Sequence, residues 1–100
     1  YNYSSYNNEI NSIIINNLDS AIILRLDTGT LTKINLNNTI SVNSIDCSYN
    51  LITADIAELI FENLPDRTAL TAGNIGILEQ NNGTISPSID LATAKNWIVS

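Results

Sequence analysis

The residues able to do chemistry in this chain are few and far apart. Cys47 is the single cysteine and there is no histidine, so a thiolate nucleophile would lack the imidazole that usually generates it. One cysteine also forms no intrachain disulfide. Asp27, Asp46, Asp55 and Asp66 raise the question of calcium, yet none sits in the alternating Asp/Asn and Gly loop that EF-hand or nonapeptide sites require. No glycine loop cradles a phosphate and no general base has neighbours that would tune it, so the expectation is no enzyme, no metal and no cofactor. Trp97 could stack on a sugar, but a lone indole in a terminal strand more often seals a core. Three Asn-x-Ser/Thr sequons start at Asn2, Asn37 and Asn82, as chance provides in a chain with 16 asparagines.

Composition narrows the partners. With 14% charged residues, a net charge of -6 and only Arg25, Lys33, Arg67 and Lys95 as bases, the basic footprint that binds a phosphate backbone is missing, and nucleic acid is not expected. The same balance disfavours an anionic membrane surface, and no apolar run approaches the roughly 20 residues of a transmembrane helix. The first residues have neither the basic start nor the apolar centre of a signal peptide, and the chain reads as part of something longer. Seventeen isoleucines and 16 asparagines favour short strands separated by turns, because isoleucine is stiff at χ1 and asparagine accepts left-handed backbone.

The elements that would carry these side chains follow a repeat. Pairs of the form aliphatic-x-aliphatic recur at Ile13/Ile15, Leu24/Leu26, Ile34/Leu36 and Ile45/Cys47. Sliding the chain by 21 residues brings Ile13 onto Ile34, Ile15 onto Leu36, Leu24 onto Ile45, Leu26 onto Cys47 and Leu31 onto Ile52. Turn residues repeat too, with Asn16 and Asn17 on Asn37 and Asn38, and Gly29 on Asn50. This predicts coils of about 21 residues, each with two short strands, the paired aliphatics pointing in and the residue between them pointing out. The expected core is Ile13, Ile15, Leu24, Leu26, Ile34, Leu36, Ile45, Cys47, Ile52, Ile75 and Ile77.

Residues 42–52 resemble the core of a leucine-rich repeat, with aliphatic character at Val42, Ile45, Cys47 and Ile52 and Asn at position 50. The wording SIDCSYNLIT, preceded by LTKINLNNT, is similar to the short repeats of bacterial surface leucine-rich-repeat proteins. The resemblance extends over residues 31–100. It implies that Asn50 hydrogen-bonds along the turn backbones as one rung of a ladder. Gly29, at the equivalent place one repeat earlier, makes the turn without a side chain to join it.

After Ile52 the period breaks. Apolar residues at 56, 59, 60 and 64 predict a helix over 53–64, with Thr53 as N-cap, acids in its early turns and Pro65 as its stop. A strand over 74–78 restores the aliphatic pair 30 residues after Ile45. A second short helix is expected with Ser86 as N-cap, Pro87 at its first position and Asn96 as a left-handed C-terminal residue, followed by a strand at 97–99. The expected fold class is therefore α+β: a short leucine-rich-repeat solenoid with two short strands per coil, closed by a C-terminal cap of two short helices and a final strand. Residues 1–9 read as a linker or incomplete coil, 10–52 as repeats, and 53–100 as C-terminal repeat and cap.

Two outward faces follow. One carries Ile23, Arg25, Asp27, Ser44, Asp46, Ser48, Gly76 and Leu78; the other carries Ile14, Asn16, Lys33, Asn35 and Asn37. Arg25 and Asp46 are 21 apart, which would make them neighbours on adjacent strands. The candidate partner-binding residues are Arg25, Asp27, Asp46 and Ser48, on the face that mixes charged and apolar groups. The expected function is a non-catalytic binding or adhesion module recognising a protein or carbohydrate, at the cell surface or outside the cell, beside upstream repeats of its parent chain. The alternative is a structural end-piece of a larger surface or virion fibre assembly.

Overall fold

A computed structural model describes residues 42–100 in full and, before them, the backbone of four strands: β1 (Asn2–Ser5), β2 (Ser12–Ile14), β3 (Ala21–Leu26) and β4 (Lys33–Asn35). The remaining elements are β5 (Ser44–Asp46), α1 (Ala54–Glu62), β6 (Gly73–Gly76), β7 (Glu79–Gln80), β8 (Gly83–Thr84), α2 (Asp90–Ala94) and β9 (Trp97–Val99). Ile15, Asn16, Asp27, Gly29, Leu36 and Asn37 lie outside the described residues.

The architecture mixes helix and strand in open sheets. Among the described residues five strands form one sheet in the order β1-β3-β5-β6-β9, every neighbouring pair parallel. Parallel neighbours need a crossover between them, and here β2, then β4, then α1, then the β7–β8 hairpin with α2 fill the successive crossovers. β2 and β4 pair with each other in parallel, and α1 packs against β4 and against α2. Residues 2–5, expected in a linker or incomplete coil, form the outermost strand beside β3.

The expected 21-residue offset appears in two registers. Asn2 pairs with Ile23, and Ile13 with Ile34. Between β3 and β5 the register instead sets Ile22 beside Ile45 and Ile23 beside Asp46, an offset of 23. Arg25 is therefore not level with Asp46, and the predicted direct pair becomes a diagonal one. The reason is the period of a strand: a slip of two residues preserves which side chains face which way. The segment AIILRL is aliphatic at 22, 24 and 26 alike, so its pattern accepts either register.

The described core is mostly aliphatic, with two aromatics, Phe61 and Trp97. Val42, Ile45, Cys47, Ile52, Ala57, Ile60, Phe61, Leu64, Ile75, Ile77, Ala92 and Trp97 are buried together. Each fully buried large aliphatic or phenylalanine side chain contributes about 1.5–3 kcal/mol. Ile45 pairs with Ile75 and Asp46 with Gly76, the 30-residue offset read from the aliphatic pairs.

α1 begins where the cap rule places it, with Thr53 Oγ1 accepting from the Ile56 N–H at 3.4 Å. Its inner face is Ala57, Ile60 and Phe61, continued by Leu64, while Leu59 is 42% exposed. Positions 57, 60, 61 and 64 form the i, i+3, i+4, i+7 stripe, so the helix is rotated by part of a turn from the face expected with Leu59 inside. At its C-terminal end Lys95 Nζ donates to the carbonyls of Phe61 at 3.2 Å and Glu62 at 2.6 Å. A cation there satisfies unpaired carbonyls and meets the negative end of the helix dipole.

The second helix starts later than expected. α2 has Ile89 at its N-cap with no side-chain bond, so Ser86 is not the cap and Pro87 is not in the first turn. Residues 85–89 instead run from the hairpin to α1: Ile85 N–H donates to Leu78 at 2.8 Å and Ser88 N–H to the Glu58 carboxylate at 3.3 Å. With Ser86 as N-cap, the Ser88 N–H is one of the donors its hydroxyl would accept from, and that donor is given to Glu58 instead. Asn96 is left-handed at φ 65, as predicted, and its carboxamide donates to the carbonyls of Arg67 and Leu70.

Candidate functional site

Two side chains that sequence reasoning did not single out hold the turns together. Gln80, 4% exposed, lies 30 residues after Asn50 and so occupies the same place one strand on. Its Oε1 accepts from the Asn50 and Ile52 N–H groups at 2.9 and 3.2 Å, and its Nε2 donates to the carbonyls of Cys47 at 3.0 Å and Ile77 at 2.6 Å. Asn50 donates from Nδ2 to the Cys47 carbonyl at 2.9 Å, within its own turn. Between these two turns the Gln80 side chain thus adds to the backbone bonds from Tyr49 N–H to Glu79 and from Asn81 N–H to Asn50, while Asn50 Nδ2 bonds within its own turn. The 30-residue offset already visible in Ile45 and Ile75 would have identified Gln80.

Arg67, one of four bases scattered along the sequence, is 4% exposed. Its guanidinium donates to the carbonyls of Val42 and Thr71 and to the Thr71 hydroxyl. Several carbonyl acceptors spread a buried positive charge, which suits the planar guanidinium better than a point charge.

On the outer face of the large sheet polar side chains close in on a glycine. Gly76 is level with Asp46 and carries no side chain. A Cβ built there would come within 3.2 Å of Ser48 Oγ, 3.7 Å of Asp46 Oδ1 and 3.9 Å of Ser100 Oγ. One carboxylate and two hydroxyls therefore rim the place where a side chain would stand, a notch too tight to take a Cβ unless Ser48 gives way. The Ser48 N–H donates to Asp46 Oδ1 at 2.9 Å, which fixes the carboxylate over the strand end. Around the notch Ser44 and Asn74 are exposed, and Ile98 on β9 is 57% exposed.

Tyr49 follows Ser48 directly and is 61% exposed. It has a left-handed backbone, φ 58, a conformation that costs a residue with a Cβ about 1–2 kcal/mol. Its N–H donates to the Glu79 carbonyl at 2.8 Å, so the turn fixes where the tyrosine stands. The outer surface thus offers a hydroxyl-rich, acceptor-rich notch with an aromatic residue next to it in the chain.

Of the four candidate residues, the structure brings Asp46 and Ser48 together at the notch. Arg25 lies in β3, two residues beyond the position level with Asp46, and Asp27 lies outside the described residues. Lys33 and Asn35, on the opposite candidate face, form part of β4. The electrostatics of residues 42–100 are acidic: Asp55, Glu62, Asp66, Glu79 and Asp90 are exposed, while Arg67 is buried and Lys95 binds the end of α1. Asp66 is held below its usual range by hydrogen bonds from Thr68.

Other candidates fall to structural roles. Burial, reinforced by Asp46, pushes the Cys47 thiol up to about 12, so it packs as a small apolar residue. Trp97 is buried across Gly73, where a Cβ would lie 2.6 Å from the ring, and its Nε1 donates to the Pro65 carbonyl at 2.8 Å. Glycine at 73 is what allows the indole to lie flat on β6. Among the described residues no three His, Cys, Asp or Glu side chains gather to hold a metal ion, and no helix is long and apolar enough to cross a membrane.

Comparison with protein-family models, with curated proteins and with solved structures gives no match for this chain.

Proposed function

We propose that this chain is the C-terminal, capped part of a short leucine-rich-repeat solenoid of the bacterial surface type, acting as a non-catalytic binding or adhesion module for a protein or carbohydrate. The observation that carries the reading is the division of labour across one sheet. Inward residues are aliphatic and the turns are tied by buried amides, whereas Asp46, Ser48 and Ser100 stand around the Gly76 notch on the outer face. In a solenoid such outward residues vary without disturbing the core, which is how these folds acquire ligands. The notch presents mainly acceptors and suits a partner rich in donors, such as saccharide hydroxyls or a basic peptide. A cell-surface or extracellular location fits this role.

The test is binding by the parent protein on glycan arrays and intact cells, with Arg25 and Asp46 both replaced by alanine. The expected result is a clear loss of binding with only a modest loss of stability, because Asp46 gives up the bond it accepts from the Ser48 N–H, about 0.5–1.5 kcal/mol. Unchanged binding, with loss instead on replacing Asn16, Asn35 and Asn37, moves the site to the opposite face. A second reading, a structural end-piece of a surface or virion fibre assembly, draws on the open order of the large sheet, whose outermost described strands are β1 and β9. Absence of binding by any form leaves that reading.

A further inference from the structure

The turn between β7 and β8 carries Asn81, Asn82 and Gly83, and residues 81–84 are all exposed. Asn82 is the one asparagine of the 16 that precedes a glycine. A side chain on the following residue normally screens that residue's backbone nitrogen from the asparagine carboxamide. Gly83 has none, and nothing lies within 4 Å of where its Cβ would stand. Its φ of +116 is a conformation that L side chains rarely adopt. The hairpin is only two pairs long, Glu79 with Thr84 and Gln80 with Gly83. The β8 side of so short a ladder is exposed and can fray at Gly83 while the buried Gln80 side chain stays in place, freeing the Gly83 nitrogen to turn toward its neighbour.

We infer that Asn82 is a self-modification site, at which the exposed Asn82–Gly83 turn cyclises to a succinimide and hydrolyses to aspartyl and isoaspartyl products. The Gly83 amide nitrogen loses its proton and attacks Asn82 Cγ. The new N–Cγ bond forms as the Cγ–Nδ2 bond breaks, and Nδ2 leaves as ammonia with the proton returned to it. Water then opens the ring. Breaking the N–Cγ bond restores the normal backbone with a carboxylate side chain; breaking the bond between that nitrogen and the original backbone carbonyl carbon reroutes the chain through Cβ and Cγ. Nothing is oxidised or reduced, and water is the only reactant consumed.

Other asparagines lack this combination. Asn50 is buried and bonded to Cys47, Asn63 donates to Leu59, and Asn96 donates to Arg67 and Leu70. Each precedes a leucine or tryptophan. The position matters because Asn82 is two residues from Gln80, whose carboxamide holds the Asn50 and Ile52 N–H groups. An isoaspartyl link adds a methylene to the backbone beside that contact, and the new carboxylate adds negative charge close to Glu79.

The test is peptide mapping by mass spectrometry, with isoaspartate-specific fragmentation, after incubating the folded full chain in mildly alkaline buffer. The peptide spanning residues 79–85 is expected to convert several-fold faster than those containing Asn63 or Asn96, at a rate that rises with hydroxide. Asn82→Gln should slow that conversion many-fold, because ring closure one carbon larger is slower. In the converted fraction the Asn50 and Ile52 amides should exchange hydrogen faster. Conversion led by Asn63 or Asn96, or conversion of Asn82 only after unfolding in urea, overturns the inference.

Discussion

Replacing Gln80 by leucine keeps most of the side-chain volume while removing the carboxamide, and so isolates what the buried amide does. The Cys47 carbonyl keeps its bond from Asn50 Nδ2 and is not orphaned. The Asn50 and Ile52 N–H groups lose Gln80 Oε1 as their acceptor, and the Ile77 carbonyl loses the Nε2 donor. With Asn50 at 1% and Gln80 at 4% exposure, water has little room to replace the amide. A buried polar group left unsatisfied costs about 1–3 kcal/mol, so two donors and a weakened acceptor put the loss at about 3–5 kcal/mol. That is a large part of the 5–15 kcal/mol typical of a domain this size. The assay is urea unfolding followed by the fluorescence of Trp97, the single tryptophan, which is buried against Gly73. Asn81→Ser in the exposed turn, expected to stay within about 0.5 kcal/mol of wild type, serves as the control. A loss below about 1 kcal/mol for Gln80→Leu would mean that the orphaned groups find other partners, and the account of Gln80 as the tie between turns would be refuted.

Gly73→Ala places a Cβ 2.6 Å from the Trp97 ring; because a ring body against backbone yields little, a loss of about 1–3 kcal/mol is expected, together with a changed near-ultraviolet circular dichroism spectrum. A variant as stable as wild type would show that the indole has room to move. Cys47 is expected to resist a thiol reagent at neutral pH until the chain unfolds. Its folded pKa is raised from 9.0 to about 12, so between those values the unfolded state releases a proton that the folded state keeps. Stability is therefore expected to fall as pH rises through that window, and Cys47→Ala should remove this part of the fall in pH-dependent urea titrations.

How far the sequence could be read depended on what each signal measures. Aliphatic alternation reports the facing of side chains, and Ile45, Cys47, Ile75 and Ile77 are buried as it requires. It does not report sliding by two, so the β3–β5 register, and with it the alignment of Arg25 with Asp46, was beyond it. Helical periodicity located α1 to within a few residues, but Leu59 and Phe61 are both apolar and only the packed neighbours decided that Phe61 faces in. The cap rule succeeded at Thr53, where the bond is local, and failed at Ser86. There a longer-range bond from Ser88 to Glu58 sets the path of the chain. Asp46 and Ser48 were legible as outward residues, whereas the notch was not, because it depends on Gly76 and Ser100 arriving from two other parts of the chain.

What the sequence by itself determined is therefore local or periodic: the strand and helix types, the α1 cap, the left-handed Asn96, the acidic balance and the absence of a histidine-activated thiol. Each follows from residue type and spacing alone, since the energies involved act within one turn or one strand. The tertiary structure alone decided the β3–β5 register, the burial of Arg67 against Val42 and Thr71, the tie made by Gln80 across 30 residues, and the seating of Trp97 on Gly73. These contacts satisfy polar groups or fill space between segments distant in the chain. Which donor meets which acceptor there is set by the way the backbones stack, and no local preference encodes it.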